Sequence, residues 1–380
     1  MALQRFTPPF SQPALDDLRE RLRRTRWPDQ IPDREWAYGF DLGFLQDICE
    51  YWARFDWPAQ LERIARLPHY RFSSSGIGIH FIHLPSRSMA AIPLVLTHGW
   101  PGSFLEMLRI IPLLTDSFHV VVPSLPGYGF SDRPVRPGMN VFRIAEIWVE
   151  LMTELGYPQF GAQGGDLGAG VATALGLRHP ERILGVHLNF IPGSYRPFLE
   201  PGTTLAPEEA AFLDSIPQWS ELHGAYSHLQ RTRPQTAAYG LNDSPAALAA
   251  WILEKFREWS DCDGDVYRCF SRDDLLTNIS LYWMTETIGS SFRLYYENSR
   301  APLHLGPGER VRVPCAIAPF PREISAPPRK WVERGYNVQR WSDMPRGGHF
   351  AALEQPELLA EDLRSFFGDL RKATADNSSL

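Results

Sequence analysis

The chain has 380 residues, 44% of them hydrophobic and 22% charged, with a formal net charge of −6. That balance belongs to a globular protein with a large core; it excludes a disordered chain, and the acidic sum leaves no electrostatic footprint for nucleic acid. Two surpluses stand out: 33 prolines, well above the ordinary share of about 5%, exclude a long helical bundle, and 12 tryptophans imply a large apolar pocket. Residues 1–75 begin with an amphipathic helix. Leu15, Leu18 and Leu22 recur at helical spacing, Asp16 and Asp17 occupy its first turn, and Arg21, Arg23 and Arg24 close it. Glu20 interleaves with the arginines, which makes the run a solvated helix face. Prolines at 28, 32 and 58 then break the segment into short pieces, as in an arm wrapped around a larger body.

From about residue 76 the texture changes to short β-branched runs separated by helical stretches. Strands are predicted at 77–83, 92–97, 118–123, just after 160, and 183–189, with helices at 103–114, 141–155 and 167–178. Residues 196–302 are mostly helical. The strand signal returns at 311–319 and 336–341, with helices at 327–334 and 356–370. Strands alternating with helices imply an α/β core, residues 76–195 and 303–370, built on a mostly parallel sheet and interrupted by a helical insertion. Residues 371–380 are expected to fray.

The four cysteines (Cys49, Cys262, Cys269 and Cys315) show no CxxC pair and no zinc spacing, which points to a reducing compartment. No apolar run approaches the roughly 18 residues of a membrane span, and the first residues lack the apolar stretch of a secretory signal. The expectation is a soluble cytoplasmic protein. Asp261-Cys262-Asp263-Gly264-Asp265 begins like a calcium loop, but Val266 and Arg272 stand where the loop needs ligands. His80 and His83 lie three apart in a strand and point to opposite faces. No metal and no cofactor is expected.

The sharpest local signal is Gly164-Gly165-Asp166-Leu167-Gly168, placed where a strand turns into a small-residue helix. Glycines on both flanks permit a strained turn that lifts the central side chain, here an aspartate, out of the backbone as a nucleophile. His98-Gly99-Trp100-Pro101-Gly102-Ser103 follows the strand at 92–97, where the backbone N–H of Trp100, with that of Leu167, would form an oxyanion hole. Near the end, Arg346-Gly347-Gly348-His349-Phe350 puts a histidine on a glycine loop after the last strand, third in the chain order nucleophile, acid, histidine. The acid lies among Glu297, Glu323, Glu333 and Asp343. Position favours Glu323, which follows a strand's carboxyl end, with Asp343 the nearest competitor. An aspartate, with an ordinary pKa near 4, attacks without a base. The His–acid pair is then free to activate water against the resulting ester. That chemistry suits an electrophilic sp³ carbon, as in epoxides or alkyl halides.

These residues resemble the microsomal-type epoxide hydrolases of the α/β-hydrolase superfamily, which include the juvenile hormone epoxide hydrolases. The likeness spans about residues 1–370. It runs through Arg26-Trp27-Pro28-Asp29, Tyr51-Trp52 and Phe55-Asp56-Trp57 in the arm, through 98–103, 124–131 and 164–168 in the core, through Asp273-Asp274-Leu275-Leu276-Thr277-Asn278 in the insertion, and through 345–350. The resemblance implies an α/β-hydrolase fold with a mostly parallel central sheet, a helical cap at 196–302 and an N-terminal wrapping arm. It implies Asp166 as nucleophile, His349 as base and Glu323 as orienting acid. It also implies Tyr226 and Tyr295 as the cap tyrosines that bind and protonate the epoxide oxygen, with Tyr296 an alternative to Tyr295. The implied partners are a hydrophobic epoxide, walled by Tyr226, Tyr295 and Trp100, and water; the oligomeric state, a homodimer included, is left open. Leu167 stands where many family members have Trp. A haloalkane dehalogenase uses the same Asp–His–acid logic but holds its halide with ring N–H donors, typically a Trp at that position. A non-catalytic hydrolase-fold receptor would keep the pocket and lose the triad.

Overall fold

A computed structural model describes residues 3–377. Among them, nine strands form one sheet: β1 (Gln4–Arg5), β2 (His69–Ser74), β3 (Ile77–Leu84), β4 (Ile92–Thr97), β5 (Phe118–Pro123), β6 (Phe160–Gly164), β7 (Ile183–Leu188), β8 (Val311–Ile317) and β9 (Tyr336–Trp341). In space the order is β1-β2-β3-β5-β4-β6-β7-β8-β9. The junctions from β1 to β5 are antiparallel and those from β5 to β9 are parallel. Leu94–Leu96 and Val120–Val122 are buried on both faces, which is why the central strands are continuous apolar runs. All parallel strands point their carboxyl ends the same way, and the loops leaving β4, β6, β8 and β9 meet there.

The first 75 residues do more than wrap. β1 and β2 extend the sheet edge, and β2 joins β3 through a tight turn in which Ser75 (φ 50°) and Gly76 (φ 82°) both adopt left-handed backbone. The helix Gln12–Arg23 starts earlier than its apolar spacing indicated, because Ser11 caps it by accepting from the amide of Ala14. Asp16 and Asp17 therefore sit in the second turn, where Asp17 holds Arg21 at 2.7 Å. Arg21 also reaches Asp243 at 2.6 Å, so part of the arginine run fastens the arm to the insertion. Pro13, Pro58, Pro207, Pro234 and Pro245 occupy first turns of helices, where a missing N–H costs nothing. Pro58 thus starts the helix Trp57–Ala65 rather than merely interrupting the chain. Likewise the helix expected at 103–114 splits into a 3₁₀ turn (Phe104–Leu108) and a short helix (Ile111–Leu114) begun by Pro112.

Between β7 and β8 the chain forms helices Pro207–His223, Ala225–Thr232, Pro234–Asp243, Pro245–Trp259, Arg272–Thr285 and Ile288–Asn298. The arm grips them through the polar ends of two aromatic residues and an ion pair. Tyr51 donates to Asp273 at 2.8 Å, the buried Trp52 indole donates to Ser280 at 2.8 Å, and Asp47 pairs with Arg272 at 2.7 Å. The last helix runs Pro356–Asn377, past the residue 370 at which fraying was expected, because extending a packed helix costs far less than starting one. Residues 378–380 of that expected tail lie outside the described residues. No helix among the described residues is long and apolar enough to cross a membrane.

Candidate active site

β6 ends at Gly164, and Asp166 opens the helix Asp166–Arg178 with φ +46°, a left-handed conformation that a non-glycine residue adopts only under constraint. The flanking glycines explain how the turn closes. A Cβ on Gly168 would lie 1.9 Å from the carbonyl oxygen of Thr97, and one on Gly164 would lie 2.2 Å from that of Gly168. Both obstacles are backbone. A Gly168→Ala substitution is therefore expected to cost about 3 kcal/mol or more, at the upper end of overpacking penalties, and to lower the thermal midpoint accordingly; an unchanged midpoint would refute this account of the motif.

The turn presents the Asp166 carboxylate to groups from three other strand ends. The backbone N–H of Trp100 donates to Oδ1 at 2.8 Å. Leu167, the second residue of the helix, carries one of the amides that has no partner within it. His349 brings Nε2 to 3.5 Å from Oδ2, and its Nδ1 lies 2.6 Å from Oε1 of Glu323. The amide of Ile324 donates to the same oxygen at 2.7 Å. The other candidate acids are engaged elsewhere: Asp343 accepts from the Trp341 indole at 3.0 Å, and Glu333 pairs with Arg329 at 2.6 Å. Glu297 belongs to the helix Ile288–Asn298. Burial alone would push the His349 pKa down, but the Glu323 and Asp166 carboxylates outweigh it and hold the imidazole well above its ordinary value.

Above Asp166 lies a cavity of about 860 Å³, lined among others by Leu167, Phe190, Trp219, Tyr226 and Tyr295. The Tyr226 ring stacks on Trp100 (centroids 5.3 Å apart, 8° between planes), and the Tyr295 ring meets Trp100 edge-on at 5.8 Å. The Tyr226 and Tyr295 rings meet edge to face, with centroids 6.1 Å apart. Burial first, and then the Asp166 charge, push both phenols above their ordinary range, so both are protonated donors at neutral pH. Tyr296 faces elsewhere, with the Arg300 guanidinium over its ring at 3.2 Å.

The first 105 or so residues match the family described as "Epoxide hydrolase N terminus" (residues 3–107), and residues 92–270 match "alpha/beta hydrolase fold". A Stigmatella aurantiaca (strain DW4/3-1) protein is 46% identical, covering 95% of this chain and 83% of that one. Epoxide hydrolase 1 of Sus scrofa is 38% identical, covering 98% of this chain and 90% of its own. The chain belongs to the epoxide hydrolase family. Its fold is that of solved epoxide hydrolases. The crystal structure of juvenile hormone epoxide hydrolase from the silkworm Bombyx mori superposes with a TM-score of 0.87 at 31% identity, over 98% of this chain and 96% of that one. Aspergillus niger epoxide hydrolase gives 0.86 at 31% identity, covering 97% of each chain.

Two parts of this epoxide hydrolase's site escaped sequence reasoning. Glu354 accepts from the amides of Gly348 and Phe350, both at 3.0 Å, and of Asp261 at 2.8 Å, clamping the backbone on either side of His349 and tying it to the cap. Oδ2 of Asp261 in turn accepts from the Gly347 amide at 2.9 Å. The one available signal was the position of Glu354, a turn of helix beyond the histidine loop. Glu106, in the wall of a small chamber that also borders Asp166, is the second.

Proposed function

We propose that this epoxide hydrolase works through a covalent ester on Asp166, and that the helices 207–298 form the cap over a hydrophobic epoxide. The observation that carries this reading is the placement of one carboxylate between a backbone donor, a His–Glu pair and a roofed apolar cavity holding two phenols. In the first step Oδ2 or Oδ1 of Asp166 attacks an epoxide carbon. The C–O ring bond breaks, and the developing alkoxide, far more basic than a phenol, takes a proton from Tyr226 or Tyr295.

In the second step His349 removes a proton from water as its oxygen bonds to Cγ of Asp166. The tetrahedral oxyanion is held by the amides of Trp100 and Leu167. Its collapse breaks the bond between Cγ and the alkyl oxygen, which takes the proton back from His349 to complete the diol. The proton left on the Asp166 carboxyl restores the tyrosine, and the sum is epoxide plus water to vicinal diol. Alkylation also removes the Asp166 contribution to the raised His349 pKa while that of Glu323 remains, so the imidazole gives up its proton more readily at the step where a base is needed. The unpaired cysteines support a reducing compartment such as the cytoplasm.

The test is a single turnover in ¹⁸O-water with enzyme in excess. The expected result is label in the peptide containing Asp166 and none in the diol. Label entering the diol directly would mean that water attacks the epoxide itself and would remove the ester from the scheme.

A further inference from the structure

Asp166 lines two cavities. Besides the substrate cavity, it borders a small chamber of about 20 Å³ whose wall includes Glu106, Gln163, Asn189 and His349. That volume suits one water molecule, which needs two to four polar neighbours to be held. Gln163 donates from Nε2 to Asn189 at 2.9 Å, while its Oε1 is buried without a partner among the described residues. A buried acceptor of that kind is ordinarily satisfied by ordered water.

Glu106 reaches the chamber because of the residue four positions before it. A Cβ on Gly102 would lie 1.3 Å from Oε1 of Glu106, so the carboxyl folds over the place where any other residue would put a side chain. Glycine in the turn 98–103 is thereby explained by the carboxyl rather than by the turn alone. Burial raises the Glu106 pKa to about 8; His349 opposes the rise and the Asp166 charge adds to it. At neutral pH the group is mainly the neutral acid, which places no second anion beside Asp166 and still offers a carbonyl acceptor.

We propose that Glu106 seats the hydrolytic water in this chamber, its carboxyl oxygen and Nε2 of His349 taking the water's two hydrogens so that the oxygen lone pair faces Cγ of the alkylated Asp166. The substrate enters from the large cavity and the water attacks from the small one. The two steps thus use opposite sides of one carboxyl group, and the alkyl chain does not have to leave before water arrives. This rests on the covalent ester proposed above. Glu106 acts through the water and takes no proton from it; that proton goes to His349.

The test compares Glu106→Leu, which removes the acceptor, with Glu106→Gln, which retains it. In Glu106→Leu, alkylation measured by stopped flow is expected to stay within about threefold of wild type. Hydrolysis of the ester is expected to fall about 100-fold, the loss typical of one missing oriented partner. The ester should then accumulate, visible by intact mass, and KM should fall together with kcat. Glu106→Gln is expected to recover most of the hydrolysis rate. Equal losses in both steps, or no ester in Glu106→Leu, would overturn the assignment, as would a Gln variant as slow as the Leu one. If the Leu variant does not fold, Glu106→Ala, which adds no atoms, reads the same rates. Wild type labelled in ¹⁸O-water alongside separates the two proposals. No label at Asp166 defeats the ester itself, whereas label at Asp166 with unimpaired hydrolysis in the variant defeats only the role of Glu106.

Discussion

Replacing His349 with Gln is expected to leave an enzyme that opens one equivalent of epoxide and cannot release it. Ring opening draws on the Asp166 carboxylate and the phenols, none of which depends on proton transfer to the imidazole. Hydrolysis does, because water must lose a proton as it attacks the ester. A glutamine amide fills similar space and can hydrogen-bond to Glu323, but it accepts no proton. The expected loss in turnover is about 10³–10⁴-fold, the upper range for a positioned general base. Intact-mass measurement should show stoichiometric adduct, mapping to the peptide that contains Asp166. Steady turnover within tenfold of wild type, or an adduct elsewhere, would defeat the assignment. The pH dependence follows from the same charges. Glu323 and Asp166 hold the imidazole protonated above its ordinary range in the free enzyme, and alkylation cancels the Asp166 contribution. Ester hydrolysis in wild type should therefore rise with pH through a lower pKa than the imidazole of the free enzyme shows by NMR.

The double substitution Tyr226→Phe, Tyr295→Phe should fail at the opposite step. Phenylalanine keeps the stacking of position 226 on Trp100 and the edge contact of position 295, so the cavity wall is preserved. What disappears is every phenolic proton facing the developing alkoxide. Each single variant retains one donor and is expected to lose about tenfold in alkylation rate; the double should lose about 10³–10⁴-fold, within the range for general acid catalysis. Trp100, in contact with both rings, supplies a fluorescence signal for that step. A double variant that alkylates at more than a tenth of the wild-type rate would show that the phenols wall the pocket without protonating the epoxide.

Much of this was legible before any fold was known. The elbow at 164–168 and the turn at 98–103 are local devices: their glycines answer steric demands from atoms within a few residues or one strand away, as the 1.9 Å approach to Thr97 shows. The order nucleophile, acid, histidine follows from the strand order. The arm was harder. β2 lacks a clean alternation, and it pairs only because Ser75 and Gly76 turn it back on β3. The tryptophans 27, 36, 52 and 57 were readable as an aromatic arm, but that the Trp52 indole would fasten to Ser280 was not.

From the chain alone came the kind of chemistry, because an aspartate in a nucleophile's turn restricts the substrate to an electrophilic carbon whatever surrounds it. Tertiary structure chose the partners. Glu323 rather than Asp343 stands 2.6 Å from His349, Tyr295 rather than Tyr296 faces the cavity, and of two residues absent from every local motif, Glu106 borders the chamber beside the Asp166 carboxyl while Glu354 clamps the histidine loop. Hydrogen bonds and water sites are decided within about half an ångström, on the angle at which separate strand ends deliver their side chains. No spacing along one chain carries that information, since the residues involved meet only after the sheet has ordered the strands.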